Sequence, residues 1–169
     1  MSYARFGAMI ATSTIVMFGL KYFNTYALDH VWFSQTRAWM AVVMGAAMAV
    51  IMLGFMLDMY KSRQANLAIV VGAALAFALA LWLVRSQETV GDVSYMKAMI
   101  PHHSIAIMTS ERAHIRDPRV RKLADGIIEA QVREIAEMER LIADLEQNPV
   151  PADAPDLPPY DRRAASSTR

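Results

Sequence analysis

The hydrophobic pattern divides the chain in two. Three apolar runs, over residues 8–26, 38–57 and 65–84, fill the first half, and each approaches the ~20 residues that a helix needs to cross a bilayer core. Residues 40–57 and 67–84 carry no charged side chain, so the second and third runs predict spanning helices directly. The first is shorter: residues 6–20 are free of charge, and then Lys21 intervenes. A lysine there can reach the interface along its own stem, with Tyr22, Phe23 and Tyr26 as an aromatic belt. A cleavable leader is the alternative for this run. Only Arg5 supplies positive charge ahead of it and no clear small-x-small cleavage site follows, so we read it as a span. Trp32, Phe33 and Trp39 around the start of the second helix, and Trp82 near the end of the third, stand at interfacial positions. Gly45 with Ala46 and Ala49, and Gly72 with Ala73 and Ala76, offer small faces for close helix packing.

After Val84 the pattern changes to amphipathic helix. Residues 85–91 form a short polar connector, and Asp92 is an N-cap for a helix running to about Ile115. Asp117 and Pro118 mark a second start, with Asp as the cap and Pro at the first helical position. Val120, Leu123, Ala124, Ile127, Ile128, Ile135, Met138, Leu141, Ile142 and Leu145 then recur with helical period, and Pro149 and Pro151 end the helix near Gln147. The pattern shows no strand and no repeat. The chain therefore reads as all-α: a three-helix transmembrane anchor (1–85), a water-soluble two-helix hairpin (86–147) and a proline-rich, disordered tail (148–169). Such a hairpin buries little apolar surface alone. It needs either the membrane half or a second copy to complete a bundle, and we expect a homodimer.

Composition sharpens this division. Hydrophobic residues make up 55% of the 169, but charged ones are sparse before Arg85 and dense after it. The formal net charge of +1 gives no case for nucleic acid or for an acidic ligand. The absence of cysteine excludes disulfides, thiolate zinc sites, iron–sulfur clusters and Cys nucleophiles. Orientation follows from Lys61 and Arg63 in the short loop after the second span, with Arg5 on the same side, against Lys21, Arg37 and Arg85 on the other. The count is close. We expect the amino terminus and the Lys61 loop in the cytoplasm and the hairpin outside, in a periplasm or extracellular space. Asp58, at a helix end, reads as interfacial.

Chemistry concentrates in the first hairpin helix. Thirteen methionines is a high count for this length, and those before residue 60 read as flexible packing in membrane helices. At about 100° per residue, Met96, Met99, His103, Ser110 and His114 share one stripe, with Met99 and His103 one turn apart. His102 points about a quarter-turn away. Pro101 removes the hydrogen bond to the Lys97 carbonyl and invites a kink beside the histidines. On the second helix Gln131, Glu134 and Met138 follow the inward rows, and Gln131 needs a polar partner there, for instance a histidine nitrogen. Imidazole plus thioether without thiolate favours copper, because soft sulfur suits Cu(I) and imidazole accepts either copper state. Zinc gains little from methionine. The competing reading is that the methionines are core and the histidines polar surface. Glu111 and His114 form a Glu-x-x-His pair of the kind used in di-iron carboxylate bundles, a short match that recurs by chance. Ser104 and Ser110 lack an orienting acid and an oxyanion hole, so nucleophilic catalysis has no support.

The run Met96-x-x-Met99-Ile100-Pro101-His102-His103-x-x-Ala106-Ile107, followed by Asp117-Pro118 and by Ala130-Gln131-x-x-Glu134-Ile135-x-x-Met138, resembles the domain-of-unknown-function-305 family. The resemblance covers roughly residues 92–145, and the three-span half looks like the membrane-anchored branch of that family. It implies a ferritin-like helical fold, an exported location and, for some members, copper binding and copper tolerance through Met and His. Met96, Met99, His102, His103 and Met138 match the family pattern position by position. The family commonly has an acid and then Met after the Ala-Ile pair; here Met108 and Thr109 follow, which shifts that thioether by one residue. The expectation is thus a membrane-anchored copper-binding protein for sequestration or handover, not an enzyme, with Met96, Met99, His102, His103, His114 and Met138 as metal ligands. The alternatives are an oligomeric membrane scaffold and a di-iron-type oxidase using Glu111 and His114.

Overall fold

The computed structural model describes residues 2–151 and 153–158, all of it helix and connection, with no strand among the described residues. Five helices follow in order: α1 (Tyr3–Leu20), α2 (Gln35–Phe55), α3 (Arg63–Ser86), α4 (Asp92–Arg112) and α5 (Pro118–Gln147). Four of the five starts are capped by the side chains that local chemistry calls for. Ser2, Ser34, Ser62 and Asp117 each accept a hydrogen bond from a backbone N–H of the first turn, and Pro118 opens α5. At the start of α4 the cap is Gly91, and Asp92 is the first helical residue, where its carboxylate still faces the positive end of the helix dipole.

α1, α2 and α3 are each long and apolar enough to cross a membrane. Their 18, 21 and 24 residues correspond to roughly 27, 32 and 36 Å of helix. α2 packs against both of the others. Its contact with α1 depends on Gly45, because a Cβ there would collide with the Thr14 hydroxyl. Ala46 and Ala49 are buried beside it. The second small face is more open: a Cβ on Gly72 would meet nothing, and Gly72, Ala73 and Ala76 line an open groove between α1, α2 and α3. At one end of these helices Phe6, Leu53 and Tyr60 form a small cluster, and the Tyr3 hydroxyl lies 2.8 Å from Asn66 Oδ1, tying the start of α1 to the α2–α3 turn. The hairpin stands at the opposite end, where α1 ends and α2 begins.

The largest departure from the sequence pattern is at that end. The first apolar run was expected to continue to about Tyr26, but α1 stops at Leu20 and residues 21–34 form turns and one 3-10 turn over Leu28–His30. This connector turns back onto α4. Tyr22 is not simply a belt residue: its hydroxyl accepts the Ser34 N–H at 2.9 Å, and the Arg37 guanidinium lies over its ring at 4.7 Å. Trp32 leaves the interface and packs against the hairpin core. Phe23 alone of the three expected belt aromatics is almost fully exposed.

The hairpin core is built from Met96, Ile100 and Ile107 of α4 and Ile135, Met138 and Ile142 of α5. α4 runs through Pro101, whose ring is fully buried. It ends at Arg112, three residues earlier than the pattern predicts, because Ala113 is extended and the Asp117–Pro118 pair requires an extended residue before the new helix. At the edge of that core stripe, one turn from Ile100 and Ile107, Ser104 is completely buried; its Oγ accepts the Tyr26 N–H at 2.7 Å and lies 3.0 Å from His30 Nδ1. The hairpin therefore gains one of its packing surfaces from the connector of its own chain. Of the expected tail, residues 148–151 and 153–158 hold neither helix nor strand, while Ala152 and residues 159–169 lie outside the described residues.

Ser104→Ala removes the acceptor of a buried amide, a loss of about 1–3 kcal/mol locally. Hydrogen exchange at the Tyr26 amide should accelerate by about tenfold or more while the amides of α5 stay protected. Unchanged exchange at Tyr26 would show that the connector is held by its apolar contacts alone.

Candidate functional site

α4 and α5 lie side by side and leave an open cleft of about 380 Å³ between them. Met96 and His103, two turns apart on α4, enter it from one side. Glu134 and Met138, one turn apart on α5, enter from the other, with Tyr95 and Leu141 at its walls. Both methionines are nearly buried, at 6% and 9% exposure, and both belong to the hairpin core as well as to the cleft. The His103 side chain is 13% exposed, and its Nδ1 lies 3.4 Å from Glu134 Oε2. That approach falls short of a formed hydrogen bond, so Nδ1 is a buried nitrogen without a hydrogen-bond partner.

The electrostatics follow from this burial. Desolvation pushes the His103 imidazole below its ordinary pKa, the Glu134 carboxylate opposes that by favouring the charged ring, and His102 adds to the lowering. The net direction is down, so His103 is neutral at neutral pH, the form that ligates metals. With Nδ1 turned to the carboxylate, Nε2 is the nitrogen left for a ligand. A carboxylate behind a histidine is the usual means of fixing the ring's tautomer and orientation.

The six sequence-predicted ligands do not converge. Met96, His103 and Met138 share the cleft. Met99 packs partly buried against the hairpin core but does not line the cleft. His102 is exposed, its ring centre 6.1 Å from that of His103. His114 is off the stripe altogether, because α4 has already ended; it is exposed in the α4–α5 connection. Glu111 is exposed near the end of α4, where the Tyr26 hydroxyl donates to it and its charge raises the phenol above its ordinary range. Among the described residues no three His, Cys, Asp or Glu side chains are grouped to hold a metal ion. Sequence reasoning assigned a histidine partner to Gln131, whereas the carboxylate three residues on, Glu134, faces His103. The available signal was that Glu134 and Met138 are spaced i, i+4, so they share a face.

The match to known proteins begins where the hairpin begins. Residues 92–168 match the model of a domain of unknown function, DUF305. The chain is also 31% identical over 102 residues to the uncharacterized protein L153 of Acanthamoeba polyphaga mimivirus, an alignment covering 56% of this chain and 67% of that one. The chain belongs to the DUF305 family. No solved structure matches it. The DUF305 match starts at Asp92, the first residue of α4, so α1–α3 lie outside it.

The cleft thus gathers two thioethers and one neutral imidazole, soft and borderline donors, with the unpartnered Nδ1 of that ring beside a carboxylate. Asp92 and Glu137 line the cleft as well, but among the described residues they are not grouped with His103 and Glu134 to hold a metal ion.

The lowered pKa carries a sign. Below pH ~6.5 an unfolded His103 takes up a proton that the folded one refuses, so folding stability falls as pH drops through that window, until the folded imidazole is charged too. An NMR titration of the His103 ring in the metal-free protein should give a midpoint below ~6.5, and Glu134→Gln should move it lower still, since the carboxylate raises it. A midpoint that rises or stays fixed in Glu134→Gln would remove Glu134 from the electrostatics of the ring.

Proposed function

We propose that the chain is a membrane-anchored copper-binding protein that sequesters or hands over the ion, with Met96, His103 and Met138 as the donors. The observation that carries this reading is their meeting in one cleft between α4 and α5, with Glu134 behind His103. Two thioethers and an imidazole hold Cu(I) in preference to harder ions. Bound copper would link the two hairpin helices across the open side of their core. Ser104, the serine next to His103, is engaged with the connector and not with the histidine. Met99, His102 and His114 fall outside the proposed ligand set. His102, exposed and one residue from His103, is suited to first contact with an ion approaching from solvent.

The reading includes a homodimer. Val120, Leu123, Ile127 and Leu141 are exposed along one edge of the apolar stripe of α5, while the other edge packs on α4. A second copy seated on that edge would complete a four-helix bundle. If this pairing is the whole purpose of the hairpin, the protein is a scaffold and the cleft is core packing with a gap.

Titration of the detergent-solubilised full chain with Cu(I), with its mass followed by light scattering, separates these readings. Submicromolar binding is expected, weakened by about tenfold or more in His103→Ala and in Met96→Leu with Met138→Leu. Zn(II) should bind more weakly, and the mass should be that of a dimer in each sample. A dimer that binds no copper tighter than about micromolar, or binds it equally in the variants, would leave only the scaffold.

The proposal places the hairpin outside the cytoplasm. The support is the set Arg5, Lys61 and Arg63 at the end of the spans away from the hairpin, together with the exported location that the family implies. Because the chain has no cysteine, single introduced cysteines report sidedness without background. In intact cells a membrane-impermeant maleimide should label Arg133→Cys on α5 and leave Lys61→Cys on the far loop unlabelled; the reverse pattern would invert the orientation.

A further inference from the structure

A second cavity, of about 620 Å³, lies between the first turns of α2 and the first turns of α4. On α2 its wall is Gln35, Ala38, Trp39 and Val42, an i, i+3, i+4, i+7 strip that descends roughly 10 Å along the helix. On α4 it is faced by Ser94 and Lys97. Its chemistry changes along that descent. The amide of Gln35 stands at the first turn of α2, the hydroxyl of Ser94 and the ammonium of Lys97 face the wall from α4, and Ala38, Trp39 and Val42 continue along α2 as mostly apolar wall.

Two features of the cavity remain unexplained by the fold. The Trp39 indole Nε1 is buried with no hydrogen-bond partner, although a buried donor of this kind ordinarily has an acceptor. Lys97 is held in place rather than free: its Nζ lies 2.6 Å from Glu146 Oε1 and 5.5 Å from the centre of the Trp32 ring. An ammonium has three donors, and these contacts leave capacity for an oxygen anion. The cavity thus combines an ion-paired ammonium and hydrogen-bonding groups with an apolar wall along α2.

We propose that this cavity is a binding site for one glycerophospholipid of the surrounding membrane. The phosphodiester sits among Lys97, Ser94 and Gln35, the ester region lies against Trp39, whose N–H gains an acceptor, and one acyl chain follows Ala38 and Val42 downward. The lipid would fill the space between the anchor and the hairpin and join them two turns along α4 from the Ser104 contact with the connector, since Lys97 and Ser104 are i, i+7 on that helix. The proposal rests on reading α1–α3 as membrane spans and is independent of copper at the cleft.

The test uses the full chain extracted from membranes in a mild detergent, with dioleoylphosphatidylglycerol as the probe for reloading after delipidation. Native mass spectrometry should show one phospholipid retained per chain and one probe molecule rebound. Lys97→Gln and Trp39→Phe, which keep volume and shape, should each lower rebinding by about tenfold. Ala38→Phe, which fills the cavity, should abolish it, with thermal melts confirming that each variant folds. No retained lipid in the wild type, or equal rebinding in the three variants, would overturn the site. Alkaline carbonate washing of the membranes distinguishes the two levels of failure. A chain released by carbonate overturns the spans and this site with them, whereas a chain that stays in the membrane and binds no probe overturns the site alone.

Discussion

The structure turns on the burial of Ser104. A two-helix hairpin has one apolar interface and two outer faces, and so cannot exclude water from its core unaided. Here the chain covers the edge of α4 beside that interface with its own α1–α2 connector, and the Ser104 hydroxyl buried there is met by the Tyr26 amide and by His30. The two bonds satisfy groups on both partners, since a connector amide buried without an acceptor would be as costly as a buried serine hydroxyl. With that edge occupied, α4 is held in one rotation about its axis. That rotation turns Met96 and His103 toward α5.

Adjacent positions on α4 therefore do different work. His103 lines the cleft, Ser104 faces the connector, and His102 faces solvent. Successive residues of a helix diverge by about 100°, so a run of three covers most of its circumference. The paired histidines that stand out in the sequence are thus separated by geometry: one is a buried, neutral imidazole against a carboxylate, and the other is a surface group.

Much of the architecture was legible because it is local. Charge-free runs of helical length, the Asp117–Pro118 start and the Gln147 end are all written in neighbouring residues. The connector was not, because Tyr22, Tyr26 and Trp32 have the composition of an interfacial belt, and only their partners, Ser34, Ser104 and the hairpin core, show their other use. The site was half legible. Periodicity put Met96, His103 and Met138 on facing rows. It also put Met99 and His114 with them: Met99 because a 3.6-residue stripe is wide enough to span both core and cleft, and His114 because the pattern carried α4 past its end. Glu134 was visible as an inward residue, but which acid or amide met the histidine depended on the register of α5 against α4, which no single helix encodes.

That register also bears on how the proposed copper site would work. Met96 and Met138 are needed to fill the hairpin core even with no ion present, so the cleft is kept from collapsing by the same side chains that would bind. Such a site needs little rearrangement to load, because the thioethers are already gathered and desolvated. A soft ion with low coordination demand fits three donors, while a fourth would have to be water, a partner copy or the next protein in a transfer. The open side of the cleft keeps that fourth position accessible. An ion held by a complete, closed ligand set is stored; an ion held by three donors at an open cleft can be passed on, and it is this openness that favours handover over permanent sequestration.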